Sequence, residues 1–444
     1  MAAMRYVAEQ ALVDGAVAAD VMIDVGGGVI TQVARDGDGQ GERLRGLVVP
    51  GMANLHSHAF QRAMAGLAER AGPGGDSFWR WRETMYRFLA ALTPDDVEAI
   101  AAQLYVECLL HGYTSVAEFH YLHNAPDGSP YADPAEMARR IAGAAGSAGI
   151  RLTLLPVLYR HGGFGGLAPS EGQRRFVLSL DAYAALCERM GRDVRLGVAP
   201  HSLRAVSAEE LARAVGLAAT LGEGAPIHIH VAEQEKEVAD CLAWSGARPV
   251  AWLLDHAPVN ARWCLVHATH SDADECARLA ASGAVVGLCQ STEANLGDGI
   301  FPLIEHLAAG GRFGIGSDAN LCTNPVEELR WLEYVRRLQT KARNVTDELW
   351  QRALAGGARA IGQDVGAIAA GRGADLVVLD TGHPSLVGHA GEGLLDAWVF
   401  SGSDTPVRDV MVAGEWVVRD RRHVRQDAIA RGFARTMRRL MADH

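Results

Sequence analysis

Between about residue 50 and residue 365 the chain alternates short apolar runs with longer segments whose apolar positions recur every three to four residues. The short runs predict strands at 49–58, 115–119, 152–159, 195–201, 226–233, 263–268, 285–289 and 313–318. The longer ones predict helices, for instance 95–111 and 208–221. Eight strand-then-helix units in succession predict an α/β fold, a (β/α)8 TIM barrel over residues 50–365. In that architecture the loops after the strands form the mouth, so functional side chains belong at the C-terminal strand ends.

Both ends of the chain pattern differently. Short β-like runs at 5–8, 19–25 and 29–33 are broken by glycine turns such as Gly26-Gly27-Gly28. Residues 371–380 read as a turn followed by a strand, and residues 406–418 as a hairpin turned at Ala413-Gly414. The two ends together predict one small β-sandwich domain built from residues 1–49 and 366–444, with a C-terminal helix.

The chemistry sits at the predicted strand ends. The first strand ends in His56-Ser57-His58, and a period of two points both imidazoles to one face. Alone, such a pair reads equally well as a polar strand end. Here the fifth strand adds His230 and Glu233, the sixth His267 and the eighth Asp318. Histidines and carboxylates spread over four strand ends predict a metal centre. His228, two residues before His230, lies deeper and reads as a hydrogen-bonded core residue.

Composition narrows the classes of partner. With 49% hydrophobic and 21% charged residues the 444-residue chain has the material for a large core. A net charge of -11 and the absence of any long basic run argue against nucleic acid and anionic membrane surfaces as partners. Seven scattered cysteines without a Cys-x-x-Cys pair read as reduced thiols. No continuous apolar stretch of membrane-spanning length occurs, so a cytoplasmic protein is expected.

His-x-His followed by single His, His and Asp on later strands resembles the amidohydrolase superfamily, and the resemblance extends over nearly the whole chain. More narrowly, residues 54–66 (NLHSHAFQRAMAG), 199–204 (APHSLR) and 292–299 (TEANLGDG) resemble the formiminoglutamate deiminases of that superfamily. Gln290 departs from the group, where proline is expected after Cys289. The resemblance implies metal-dependent hydrolysis of N-formimino-L-glutamate to N-formyl-L-glutamate and ammonia, in histidine degradation, by a homodimer. Binuclear superfamily members bridge their ions through a lysine on a middle strand. The chain's two lysines, Lys236 and Lys341, fall at no predicted strand end, so one divalent ion is expected. His56, His58, His230 and Asp318 would hold it, and nitrogen and oxygen ligands suit zinc, with iron and manganese also compatible.

Asp318 would then take a proton from the attacking water, Glu233 would deliver one to the departing nitrogen, and His267 would orient the water or stabilise the tetrahedral intermediate. A small-molecule dicarboxylate substrate calls for arginine forks and polar donors. By resemblance these are Gln61, Arg82, Tyr121, His201 and Arg204, with Arg80 competing for the role of Arg82. Two other readings fit the same sequence: a mononuclear-metal deaminase of a nucleobase or related heterocycle, and a non-catalytic barrel scaffold.

Overall fold

A computed structural model describes residues 4–35, 39–67, 78–191, 193–222, 224–343, 346–402 and 404–442. The side chains of residues 78–80, 82, 83, 346 and 347 stand outside the description.

The chain begins with four strands, β1 (Met4–Val13), β2 (Ala16–Gly26), β3 (Val29–Ala34) and β4 (Glu42–Pro50). Nine strands of two parallel sheets follow. The first holds β5 (Met52–Ser57), β6 (Tyr113–His120), β7 (Arg151–Leu158) and β8 (Arg195–Leu196), with the short β9 (Ala199–Pro200) beside β7. The second holds β10 (Ile227–Val231), β11 (Trp263–His267), β12 (Val285–Leu288) and β13 (Arg312–Ile315). The chain closes with β14 (Leu376–Leu379), β15 (Val407–Val412), β16 (Glu415–Arg419), β17 (Arg422–His423) and a terminal helix, Gln426–Ala442.

The first four and last four strands form one eight-stranded sheet in the order β17-β16-β15-β14-β4-β1-β2-β3. Its two halves meet where β4 pairs antiparallel with β14 and parallel with β1. A compact core fills this region, with Tyr6, Ile23, Ile30, Leu376 and Met411 buried together and the Tyr6 ring edge-on to Trp416 at 5.8 Å. The Ala413-Gly414 turn is where the pattern expected it. Both residues have positive φ (50° and 81°), which a two-residue turn between right-twisted strands requires.

Residues 49–58 are not one strand. Val49 and Pro50 end β4, while β5 starts at Met52. The break falls at Gly51, whose N–H donates to the Asp375 carbonyl at 3.0 Å and where any Cβ would overlap the Thr114 side chain. Only glycine passes that point without displacing β6. Residues 195–201 likewise split into β8 and β9, because the chain at Gly197 runs against the Pro226 carbonyl and the Leu155 side chain.

The two parallel sheets are bridged at both edges. Val198 and Ser202 pair with Ile227 and His230 on one side, and Ser57 pairs with Asp318 on the other. Strands β5, β6, β10, β11 and β12 are buried at every position, as expected for parallel sheets covered by helices. The helix expected at 95–111 spans Pro94–His111, started by a Thr93–Asp96 capping box and stopped by Gly112 at φ 100°. Arg151 on β7 grips the fully buried Asp375 beside β14 through a two-pronged ion pair of 2.7 and 2.9 Å, which ties the large sheet to the parallel ones. All seven cysteines are free thiols. Among the described residues, no helix is long and apolar enough to cross a membrane.

Candidate active site

The C-terminal ends of β5, β10 and β13 bring His56, His58, His230 and Asp318 together, with one potential ligand atom from each lying within 4.8 Å of the others. His56 Nε2 stands 3.2 Å from His58 Nε2 and 3.1 Å from His230 Nε2. Asp318 Oδ1 lies 3.4 Å from His56 Nε2 and 3.2 Å from His58 Nε2. The protonation of two of these rings follows from their far sides. His58 Nδ1 meets the Phe119 carbonyl at 2.9 Å and His230 Nδ1 meets the His201 carbonyl at 3.1 Å. A carbonyl can only accept, so each Nδ1 carries the proton and each Nε2 presents a lone pair to the centre. Burial keeps all three imidazoles neutral at pH 7, pushing His56 down to about 3 and lowering His58 and His230.

Converging lone pairs and a carboxylate repel one another unless a cation lies between them. The donor set of three imidazole nitrogens and one carboxylate oxygen therefore fits a divalent metal, with zinc's preferred ligand types all present. Burial works against charge on Asp318, but the neighbouring histidines, His56 first among them, keep its carboxyl below the usual range.

A buried polar network fixes the backbones that carry these groups. Asn54 Nδ2 donates to Ser317 Oγ at 2.6 Å, Ser317 Oγ donates to Asn320 Oδ1 at 2.5 Å, and Asn320 Nδ2 donates to the carbonyls of His58 and Asp318 at 2.9 Å each. Ala232, His267, Ala268, Asp318 and Asn320 all have positive φ, between 46° and 68°. Non-glycine residues pay about 1–3 kcal/mol each for such conformations, so the surrounding contacts must hold them. The clustering of these residues immediately after β10, β11 and β13 marks that end as functional.

The opposite wall carries Glu233 and His267. Glu233 Oε1 and Asp318 Oδ2 each lie 3.9 Å from His267 Nε2. Burial alone would depress His267, but Glu233, the hydrogen bond to Glu293 and Asp318 raise it, to about 10. Burial raises Glu233 as well, against the pull of His267 and Arg204. Glu237, four residues on, accepts the backbone N–H groups of Ala232 and Glu233 at 3.1 and 3.2 Å and so holds the turn on which Glu233 stands.

One cavity joins these groups to the residues expected to bind substrate. His58, His230, Asp318, Glu233, His267, Gln61, Tyr121, His201 and Arg204 all line it. Gln61 Nε2 donates to Tyr121 Oη at 2.8 Å, and its buried Oε1 has no partner among the described residues. The Arg204 side chain is 20% exposed, its buried Nε has no partner among the described residues, and its Nη2 stands 3.7 Å from Glu233 and 3.9 Å from Glu237. Arg80 and Arg82 lie on the helix Phe78–Ala91, but their side chains fall outside the described residues. His228 takes no part: its Nε2 donates to the Ala360 carbonyl at 2.8 Å, deep in the core. Lys236 pairs with Asp240 on the helix Glu235–Ser245 and Lys341 ends the helix Pro325–Thr340.

Several lining residues had no sequence signal. Trp81, Met85 and Tyr86 come from the helix Phe78–Ala91, and Tyr159 and Phe176 extend an aromatic and apolar wall. Glu237 could have been found from its spacing, since a carboxylate four residues after Glu233 at a helix start faces back toward the strand end. Beyond β12, the helix Gln290–Leu296 is pinned by Glu328, which accepts the Ser291 N–H at 3.0 Å and the Ser291 hydroxyl. Burial raises the Glu328 carboxyl from its ordinary 4.5 to about 8, against the hydrogen bonds from Ser291. The folded chain thus binds a proton that the unfolded chain has released between those values, and stability falls as pH rises through this window. Glu328→Gln should flatten that slope in thermal unfolding measured from pH 5 to 8.

The family model for the amidohydrolase family matches residues 47–417. The chain belongs to the amidohydrolase family. This amidohydrolase is 53% identical to the formimidoylglutamate deiminase of Pseudomonas aeruginosa, over 98% of the chain and 99% of that protein. It is 31% identical to the 8-oxoguanine deaminase of the same organism, over 86% and 84% of the two chains. The crystal structure of an amidohydrolase from Brucella melitensis superposes with a TM-score of 0.93 at 49% identity, covering 99% of this amidohydrolase and all of that chain.

Proposed function

We propose that this amidohydrolase is a formimidoylglutamate deiminase, a hydrolase that cleaves a C–N bond of N-formimino-L-glutamate to give N-formyl-L-glutamate and ammonia. The observation that carries the reading is a single cavity in which the Arg204 guanidinium, its Nε without a partner among the described residues, faces the His56, His58, His230 and Asp318 cluster across Glu233 and His267. A linear substrate with a carboxylate at one end and an amidine at the other spans that arrangement. The 53% identity to the Pseudomonas protein supports the same substrate.

In this reading His56, His58, His230 and Asp318 hold one zinc ion. When bound, the ion supplies Lewis acidity that brings the pKa of water to about 7. The protein's own groups do the rest. Arg204 forks one substrate carboxylate, while Tyr121, Gln61, His201 and Arg82 receive the other polar groups. Asp318 accepts the proton of the attacking water, His267 steadies the developing charge of the tetrahedral intermediate, and Glu233, raised by burial, gives its proton to the nitrogen that departs as ammonia. We further read the two bridged parallel sheets as one (β/α)8 barrel over residues 50–365 and the eight-stranded sheet as a sandwich from residues 1–49 and 366–444. The enzyme would act in histidine degradation as a cytoplasmic homodimer.

A second reading, deamination of a heterocycle, draws on the aromatic wall of Trp81, Tyr86, Tyr159 and Phe176 and on the identity to the 8-oxoguanine deaminase. Parallel ammonia-release assays separate them. The proposal expects turnover of N-formimino-L-glutamate and none of 8-oxoguanine; the reverse would overturn it.

A further inference from the structure

The helix Gln290–Leu296 follows β12 directly, and its first turn reaches behind the wall of the cavity. Glu293 is 2% exposed and spends both oxygens there. Oε1 accepts the Cys289 backbone N–H at 3.0 Å and faces His267 Nδ1 at 3.2 Å. Oε2 accepts the side-chain amide of Gln290. Next to it, Thr292 Oγ1 accepts the Ala319 N–H at 3.2 Å and donates to the Ser317 carbonyl at 3.4 Å, so the same turn also grips the strand end that carries Asp318. His267 has a φ of 68°, a conformation that needs such support.

From this geometry we infer that Glu293 is the positioning residue of His267, with Gln290 holding Glu293 in place. A carboxylate against Nδ1 keeps a proton on that nitrogen in every state of the ring. Nε2, which faces Glu233 and Asp318 across 3.9 Å, is then the only ring position that can exchange a proton with the cavity. Gln290 gives the departure from proline a physical content. As the first helical residue it tolerates proline, but only glutamine brings a donor to the second oxygen of Glu293.

The inference concerns His267 as used in the deiminase reading, and its test has an arm that does not depend on substrate. In protein labelled with 15N-histidine, the Nδ1–H of His267 should give a slowly exchanging downfield resonance, identified by its absence in His267→Asn. Glu293→Ala should abolish it and Glu293→Gln should shift it, whereas Gln290→Ala should leave it in place but broadened. In the ammonia assay with zinc-loaded enzyme, Glu293→Gln should lower kcat about 10–100-fold with KM changed less than three-fold. Gln290→Ala should lower kcat about three-fold, and the double variant should be no worse than Glu293→Gln alone, because the two act in one chain. An unchanged Nδ1–H resonance in Glu293→Ala would overturn the inference, as would losses in the two single variants that simply multiply. Wild-type enzyme inactive on N-formimino-L-glutamate would instead sink the substrate reading and leave the resonance test standing.

Discussion

Asp318→Asn should lower kcat/KM for N-formimino-L-glutamate by about four orders of magnitude, the largest effect of any single substitution in this site. The carboxylate has two duties that an amide cannot share. Its Oδ1 sits among the Nε2 lone pairs of His56 and His58, and its Oδ2 faces His267 at 3.9 Å. Asparagine has the same shape, but its oxygen is a far weaker base than carboxylate and cannot hold a water proton at neutral pH. Its NH2 group, turned toward the histidines, would donate where the wild type accepts. The backbone should survive, because Asn320 holds it through the Asp318 carbonyl rather than through the side chain. Metal content measured alongside the rate separates the two duties: an ion retained at full occupancy with turnover lost assigns the defect to proton transfer. Turnover within ten-fold of wild type would remove Asp318 from that role.

Arg204→Met should cost about 10²–10³-fold in kcat/KM, carried mainly by KM, which corresponds to about 3–4 kcal/mol of charge-assisted hydrogen bonding in a buried site. Methionine keeps the apolar stem and the packing, and removes only the guanidinium. Among the described residues Arg204 has no closer ion-pair partner than Glu233 at 3.7 Å, with Glu237 at 3.9 Å, and its Nε has none. Such a group is placed to receive an outside carboxylate. A neutral heterocycle has no carboxylate to lose, so its turnover, if any, should be insensitive to the change. Equal losses for both substrate classes would show that Arg204 acts on Glu233 instead of on substrate.

The strand ends were legible in the sequence because burial on both faces leaves a simple signature: an apolar run that stops at a polar residue. His56, His58, His230, His267 and Asp318 each stand at such a stop, and the structure gathers four of them within 4.8 Å. What the pattern missed was set by close approach rather than periodicity. The break at Gly51 depends on Thr114, 63 positions away, and the split at 197–198 depends on Pro226. The wall contributed by Trp81, Met85 and Tyr86 was invisible for a similar reason, since nothing local tells which face of the helix Phe78–Ala91 turns to the cavity. Glu293 lay inside a segment singled out by resemblance, yet its role rests on contacts with His267 and Gln290 that only the fold creates.

One metal ion held by this cluster would make the chain a deiminase of N-formimino-L-glutamate. The most direct test is ammonia release measured on metal-free protein titrated with zinc. Metal-free protein should release none, and release should rise in proportion to zinc bound and level off at one ion per chain. Protein shown to hold one ion per chain that releases no ammonia from N-formimino-L-glutamate would contradict the deiminase reading.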